Sequence, residues 1–116
     1  MTDDRPSLDE LRSALDEISA QVDYIRAHGG GAFCAPDVKS QVLQSAACHL
    51  IIQFQAVLED LPAGFPATNA DLPFVAVRGM RNRLAHGYGD VDSVLLWNTI
   101  DEDLPLFIAE LKRRLG

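Results

Sequence analysis

A regular spacing of apolar residues dominates the first part of the chain. Behind Ser7, leucine, isoleucine and valine recur at intervals of three and four, the spacing that lines one face of an α-helix. Ser7 and Glu10 have the identity and spacing of a capping box, so the sequence predicts a helix of about six turns beginning there. We expect it to end at 28–31, His-Gly-Gly-Gly, in a flexible turn, because three glycines cost too much backbone entropy to continue a helix. The apolar positions are Leu8, Leu11, Leu15, Ile18, Val22 and Ile25.

Three more helices are predicted in the rest of the chain. Pro36 and Asp37 begin a long one, whose apolar stripe from Val38 to Leu61 is wide enough for the central helix of a bundle. Pro62, Gly64 and Pro66 break it and predict a loop to about residue 70. The next helix opens near residues 71–73 and ends at Gly87. The last is capped by Asp92, is kinked or restarted at Pro105, and continues to Leu115.

These patterns predict an all-α fold in one domain, 1–116. No strand-like alternation or internal repeat occurs, and the 116 residues can bury a core without a metal or a disulfide. Short connections favour neighbouring helices that run antiparallel. We therefore expect an antiparallel bundle of four to five helices that needs no cofactor.

The charge distribution limits the partners. The net charge of −7 excludes a protein that coats nucleic acid through general electrostatic attraction. Between residues 61 and 89, however, Asp71 is the only acid, against Arg78, Arg81 and Arg83, so any contact with nucleic acid must be local. The acidic N-terminus carries no apolar targeting segment and no apolar run reaches membrane-span length, so we expect a cytoplasmic protein without a membrane partner.

Several smaller patterns have simpler structural interpretations. His-Gly-Gly-Gly lacks the nucleophile elbow that an esterase oxyanion loop would need, and 89–93 lacks the later ligands of a calcium loop. We expect His49 to be a hydrogen-bonded, partly buried histidine and Cys48 a small core residue. Lys112, Arg113 and Arg114 suit the last turn of a helix, where cations complement its dipole. The two cysteines match neither a metal site nor a disulfide framework.

The basic segment from Arg81 to Tyr88 is the strongest candidate site. It combines a guanidinium suited to phosphate with an imidazole, His86, that can move protons near neutral pH. On a helix these two point about 140° apart, so they meet only if Arg81 reaches over the helix end or two copies pair. Asn82, four residues before His86, can orient its ring. A helix end that is merely solvated by arginines and capped by His86 explains the same residues.

Residues 79–88, Gly-Met-Arg-Asn-Arg-Leu-Ala-His-Gly-Tyr, resemble the HepT-like branch of the HEPN superfamily, whose signature is Arg-x4-His-x-Tyr. The downstream Val91-Asp92, Trp97, Ile100 and Leu104-Pro105 follow in family order. Two positions depart from the family: Gln53-Phe54 replaces a frequent Glu-Ala pair, and Phe74 replaces a frequent tryptophan.

The resemblance implies a ribonuclease toxin of a HepT/MntA-type toxin-antitoxin system. Such proteins are helical homodimers that bring two Arg-x4-6-His elements together and cleave RNA without a metal. Arg81 and His86 would then be catalytic, with Asn82, Arg78 and Arg83 in support. The partner would be an MntA-like minimal nucleotidyltransferase, an antitoxin that silences the toxin by adding AMP to Tyr88.

Two other interpretations stay open from the sequence. In one, the chain is a non-catalytic subunit that presents a nucleotide or substrate to the nucleotidyltransferase, with Arg81 and His86 as phosphate ligands. In the other, the chain is a structural dimer whose motif only caps a helix. The RNA target and the cleavage specificity are not encoded in any pattern that we recognise.

Overall fold

The computed structural model describes residues 4–87 and 91–116, and every regular element within these ranges is helical. This confirms the all-α prediction. No helix in the described ranges has the length and apolar character required to cross a membrane. The elements are α1 (Leu8–Arg26), α2 (Gly29–Phe33), α3 (Val38–Glu59), α4 (Phe65–Thr68), α5 (Phe74–Ala85), α6 (Ser93–Asn98) and α7 (Leu104–Leu115), with a π-helical turn (Thr99–Asp103) between α6 and α7.

Helix α1 forms as its periodicity predicts. The Ser7 hydroxyl accepts a hydrogen bond from the Glu10 amide at 3.2 Å, and the Glu10 carboxylate accepts from the Ser7 amide, which completes the capping box. Five of the six predicted apolar residues are buried, whereas Leu8 is 44% exposed because it lies at the first position of the helix. The α1 stripe packs mainly on α3 and α7.

The predicted flexible turn at 28–31 is wrong. Gly29, with φ +83°, does separate α1 from the next segment, but residues 29–33 then form the short helix α2. Gly30 allows Trp97 of α6 to approach its backbone so closely that an added Cβ would lie 2.9 Å from the indole Nε1. The Nε2 of Gln44 on α3 donates to the carbonyl of Phe33 at 2.9 Å and so connects the end of α2 to α3. Gly30 therefore serves close packing against Trp97.

Helix α3 is the central helix, as its wide apolar stripe predicts. The Asp37 carboxylate accepts from the Ser40 amide at 2.8 Å and caps its N-terminus. The helix contacts α1, α2, α5 and α6. Cys48 is buried in its core face, as predicted, but His49 is exposed, so the prediction of a partly buried, hydrogen-bonded histidine is wrong. Residue 49 follows the buried pair at 47 and 48, and one more step of 100° turns it to solvent.

The connection between α3 and α5 is more regular than the predicted loop. Gly64, with φ +82°, precedes the single turn of α4, where Pro66 occupies an early helical position that needs no amide donor. Asn69 donates from its side chain to the carbonyl of Phe65 at 2.9 Å and closes this turn. The prediction of a loop over the whole segment is therefore corrected to a loop with one helical turn.

The C-terminal helices follow the sequence signals closely. The Asp92 carboxylate accepts from the amides of Val94 and Leu95, at 2.7 and 3.4 Å, and caps α6 as predicted. Pro105 is the second residue of α7, where its missing N–H is not needed, which confirms a restart at a first-turn position. The π-helical turn, Thr99–Asp103, connects α6 directly to α7.

Aromatic rings fix the position of α5. The ring of Phe107 on α7 lies edge-on to Phe54 of α3, with centroids 5.1 Å apart, and to Phe74 of α5, at 5.5 Å. Such edge-on pairs contribute about 0.5–1.5 kcal/mol each beyond their buried area. Phe74 is the first residue of α5, so this cluster anchors the helix that carries the candidate site.

Candidate functional site

Helix α5 presents three polar candidates to solvent along one stripe. Arg78, Asn82 and His86 follow one another at intervals of four, and the structure leaves all three exposed. Arg83 is also exposed, about 100° around the helix from Asn82. Neither Arg78 nor Arg83 pairs with an acidic side chain in the described part of the chain. Arg78 and Arg83 therefore give this side of α5 two positive charges that no acid among the described residues offsets.

His86 closes this helix. It is the C-cap residue of α5, and its amide donates to the carbonyl of Arg83 at 3.2 Å. Gly87 follows with φ +142°, a conformation that side-chain-bearing residues rarely adopt, so the helical backbone conformation ends directly after His86. Within the described residues, the His86 ring makes no hydrogen bond, including none to Asn82. The imidazole is open to solvent at the end of the helix.

Arg81 points to a different side of α5. Its side chain is one-third exposed, and its Nη2 donates to Glu59 Oε1 of α3 at 3.3 Å. The structure therefore does not bring Arg81 and His86 of one chain onto the same face, in agreement with the angle expected from the spacing. Arg81 reaches towards α3 instead of over the end of its own helix.

Two α3 residues at this contact were missed by the sequence reasoning. Glu59 is the carboxylate that pairs with Arg81, and Gln55, one turn earlier, is buried at 6% exposure. A polar glutamine inside an otherwise apolar stripe was the signal that could have drawn attention to this position. Arg81 Nε and Gln55 Oε1 are buried atoms that find no hydrogen-bond partner in 4–87 or 91–116.

The C-terminal cations have structural partners. They lie in the last turn of α7 as predicted, and the structure adds specific ion pairs. Arg114 bonds Asp71 at 2.7 Å and Glu110 at 2.8 Å, Arg113 bonds Glu110, and Lys112 bonds Asp16 of α1. Hydrogen bonds from Arg113 and Arg114 lower the pKa of Glu110 from 4.5 to about 2. Lys112 and Arg114 therefore connect α7 to α1 and to the segment before α5, whereas Arg113 pairs within α7.

The proposed modification site, Tyr88, lies outside the described residues together with Gly89 and Asp90. The basic segment is described as far as Gly87, which includes the other five candidates.

Comparison with known proteins settles the family. The family profile described as "Ribonuclease HepT-like" matches residues 37–114, from the cap of α3 to the last turn of α7. The chain belongs to the HepT-like family. The match includes the whole of α5, and with it Arg81 and His86.

Two curated relatives agree with this membership. The HepT-like chain is 25% identical to "Putative RNase TTE0752" of Caldanaerobacter subterraneus subsp. tengcongensis over 104 residues, which cover 90% of this chain and 93% of the relative. It is 34% identical to "Probable ribonuclease HepT" of Thermococcus cleftensis over 47 residues, 40% of this chain and 43% of the relative. No solved structure matches the chain at a significant level.

Proposed function

We propose that this HepT-like chain is an endoribonuclease toxin in which Arg81 and His86 carry the reaction. The observation that carries the proposal is the family match over 37–114. The matched region includes a helix that ends in an exposed histidine, and Arg78 and Arg83 of that helix pair with no acid among the described residues. Relatives named as ribonucleases support the activity at the level of the family. The chain as a whole carries a net charge of −7, so we expect RNA to contact it locally, at the arginines of α5.

The proposed reaction uses the substrate's own nucleophile and no metal. The RNA 2′-oxygen attacks the adjacent phosphorus, and the bond from phosphorus to the 5′-oxygen breaks. The products are a 2′,3′-cyclic phosphate and a free 5′-hydroxyl. His86 accepts the 2′-hydroxyl proton or donates one to the leaving oxygen, an effect worth about 10²- to 10⁴-fold. Arg81 stabilises the charge that develops on the phosphoryl oxygens.

The neighbouring polar residues have supporting roles in this proposal. Arg78 and Arg83 are exposed and unpaired among the described residues, so their guanidinium groups are suited to bind the phosphates that flank the cleaved bond. Asn82 lies one turn before His86, close enough for its amide to orient the imidazole once RNA is bound.

A homodimer explains how two groups on different sides of α5 act together. Pairing of two copies places the Arg81 of one protomer near the His86 of the other, and supplies one histidine as base and another as acid. Val75 is 74% exposed on α5, and Gly79 leaves open space beside it, which favours close approach of a second helix. Sedimentation of the purified protein tests this, and an active obligate monomer would contradict it.

The proposed silencing acts on Tyr88. An MntA-like nucleotidyltransferase would transfer AMP to its hydroxyl, two residues after His86, and add bulk and negative charge where an RNA phosphate must bind. Tyr88→Phe should keep the toxicity and lose this neutralisation. Neutralisation of Tyr88→Phe through AMP transfer would contradict the assignment.

The proposed activity is tested by cleavage of a mixed RNA pool in EDTA. We expect wild-type protein to cleave, and Arg81→Ala and His86→Ala to lose at least about 100-fold in rate. Arg26→Ala, a surface arginine on α1, and His49→Ala, an exposed histidine on α3, are the matched controls and should cleave normally. Nucleotide binding without RNA cleavage by the folded, unmodified protein would contradict the proposal and favour a nucleotide-binding subunit of the transferase.

A further inference from the structure

Two complementary polar atoms lie buried without a partner beside the candidate site. Within the described residues these are the Nε–H of Arg81, a donor, and the Oε1 of Gln55, an acceptor. Leaving a buried polar atom unpaired costs free energy, and most such atoms in folded proteins are hydrogen-bonded. The two atoms do not bond each other in the structure, but a side-chain rotation that joined this donor to this acceptor would satisfy both with one hydrogen bond.

Helices α3 and α5 pack on each other, and the two side chains belong to these two helices. Ile51, Gln55 and Glu59 follow one another at intervals of four and form one stripe of α3. Both ends of this stripe meet α5: Ile51 lines a cavity with Val77 and Met80, and Glu59 bonds Arg81 at 3.3 Å. Gln55 lies between them and is 6% exposed. Gln55 is therefore a buried residue of α3 on the stripe whose two ends contact α5.

We propose that Gln55 is a positioning residue for Arg81. Its carboxamide oxygen accepts from Arg81 Nε–H while the Glu59 carboxylate accepts from Nη2. These two nitrogens share one edge of the planar guanidinium, so α3 holds that edge. The remaining nitrogen, Nη1, keeps both of its N–H groups for a phosphate. This proposal rests on the proposed role of Arg81 in RNA cleavage.

The neutral side chain of Gln55 suits this role better than a second acid. Glu59 already supplies one carboxylate to Arg81, and a further negative charge would compete with the RNA phosphate for the same guanidinium. An apolar residue of similar size would fill the space but leave Nε–H unpaired. A glutamine holds the guanidinium in place and leaves its charge available.

The hydrogen bond is tested by proton exchange of the Arg81 Nε–H group, measured by NMR in ¹⁵N-labelled protein without RNA. The signal is assigned by its loss in Arg81→Lys. We expect Gln55→Leu to speed exchange by about tenfold, the ratio that corresponds to a hydrogen bond worth about 1.4 kcal/mol. Gln55→Glu should keep the exchange slow, because a carboxylate also accepts. Gln53→Leu, an exposed glutamine on the same helix, is the matched control and should leave exchange unchanged.

Cleavage kinetics separate this proposal from the proposed function. In RNA cleavage, Gln55→Leu should lower kcat about tenfold, and should have no further effect in Arg81→Lys, which has no Nε–H. Unchanged Nε–H exchange in folded Gln55→Leu overturns the positioning role, whatever the activity. Faster exchange with unaltered cleavage establishes the hydrogen bond but overturns the positioning role. Normal cleavage by Arg81→Ala would instead overturn the proposed role of Arg81 itself.

Discussion

The contact between Gly30 and Trp97 predicts opposite effects for two neighbouring substitutions. Gly30 and Gly31 both lie within α2, and neither has a positive φ. A Cβ at residue 30 would lie 2.9, 3.1 and 3.3 Å from three atoms of the Trp97 indole, whereas a Cβ at residue 31 would have no neighbour within 4 Å. Trp97 cannot move aside cheaply, because its ring also packs on Phe33 at 5.3 Å.

The expected magnitudes follow from two effects. Alanine in place of a helical glycine stabilises a protein by about 0.5–1 kcal/mol, largely by reducing the entropy of the unfolded chain. Forcing an extra methyl into a packed contact costs about 1–3 kcal/mol. Gly31→Ala should therefore stabilise the fold by about 0.5 kcal/mol or more, and Gly30→Ala should destabilise it by about 1 kcal/mol. The entropy contribution is nearly the same in both variants and cancels in their difference.

Urea denaturation followed by circular dichroism measures this difference. We expect the two midpoints to move in opposite directions, with a gap of about 1.5–2 kcal/mol and an unchanged m value. Equal stabilities for Gly30→Ala and Gly31→Ala would refute the reasoning, because they would show that Trp97 does not restrict residue 30.

Three further predictions test other parts of the structure. Phe54 is fully buried and packs against Phe107, so Phe54→Ala should lower the free energy of unfolding by about 3–5 kcal/mol in the same urea assay. A decrease below about 1 kcal/mol would contradict its place in the core. The pKa of Glu110 is lowered from 4.5 to about 2, so its stabilising contribution is present above pH 4.5 and is lost as the pH falls towards 2. Glu110→Gln should therefore flatten the dependence of stability on pH in that window, and an unaltered acid limb in urea titrations would contradict this. Gly79→Ala, which meets no atom within 4 Å, should stabilise the chain by about 0.5–1 kcal/mol and, if α5 faces a second copy, weaken dimerisation in sedimentation experiments; an unchanged dimer affinity would argue against that interface.

The local signals in the sequence predicted the helices well. Ser7 and Asp92 form the predicted capping hydrogen bonds, and Asp37, predicted to begin α3, caps that helix as well. These signals succeed because a helix cap depends on residues only two or three positions away. The restart at Pro105 has the same local origin. The glycine segment was misjudged because its conformation depends on Trp97, more than 60 residues further along the chain, which no local pattern reveals.

The candidate site was predictable only in part. The spacing from Arg81 to His86 correctly placed them on different sides of α5, since helix geometry fixes that angle. It did not predict the contacts of Arg81, because Glu59 and Gln55 lie on another helix and carry no motif. His49 was also misjudged from its neighbours in the sequence. They are apolar and suggested burial, but the packing of α3 leaves His49 exposed to solvent.

The proposed chemistry is tested most directly with a DNA strand that contains a single ribonucleotide, incubated with the protein in EDTA. The account predicts one cut, after the ribonucleotide, with a 2′,3′-cyclic phosphate on one product and a 5′-hydroxyl on the other, and no cut by His86→Ala. Cleavage of the all-DNA strand, or products that carry a 5′-phosphate, would contradict an attack by the 2′-hydroxyl.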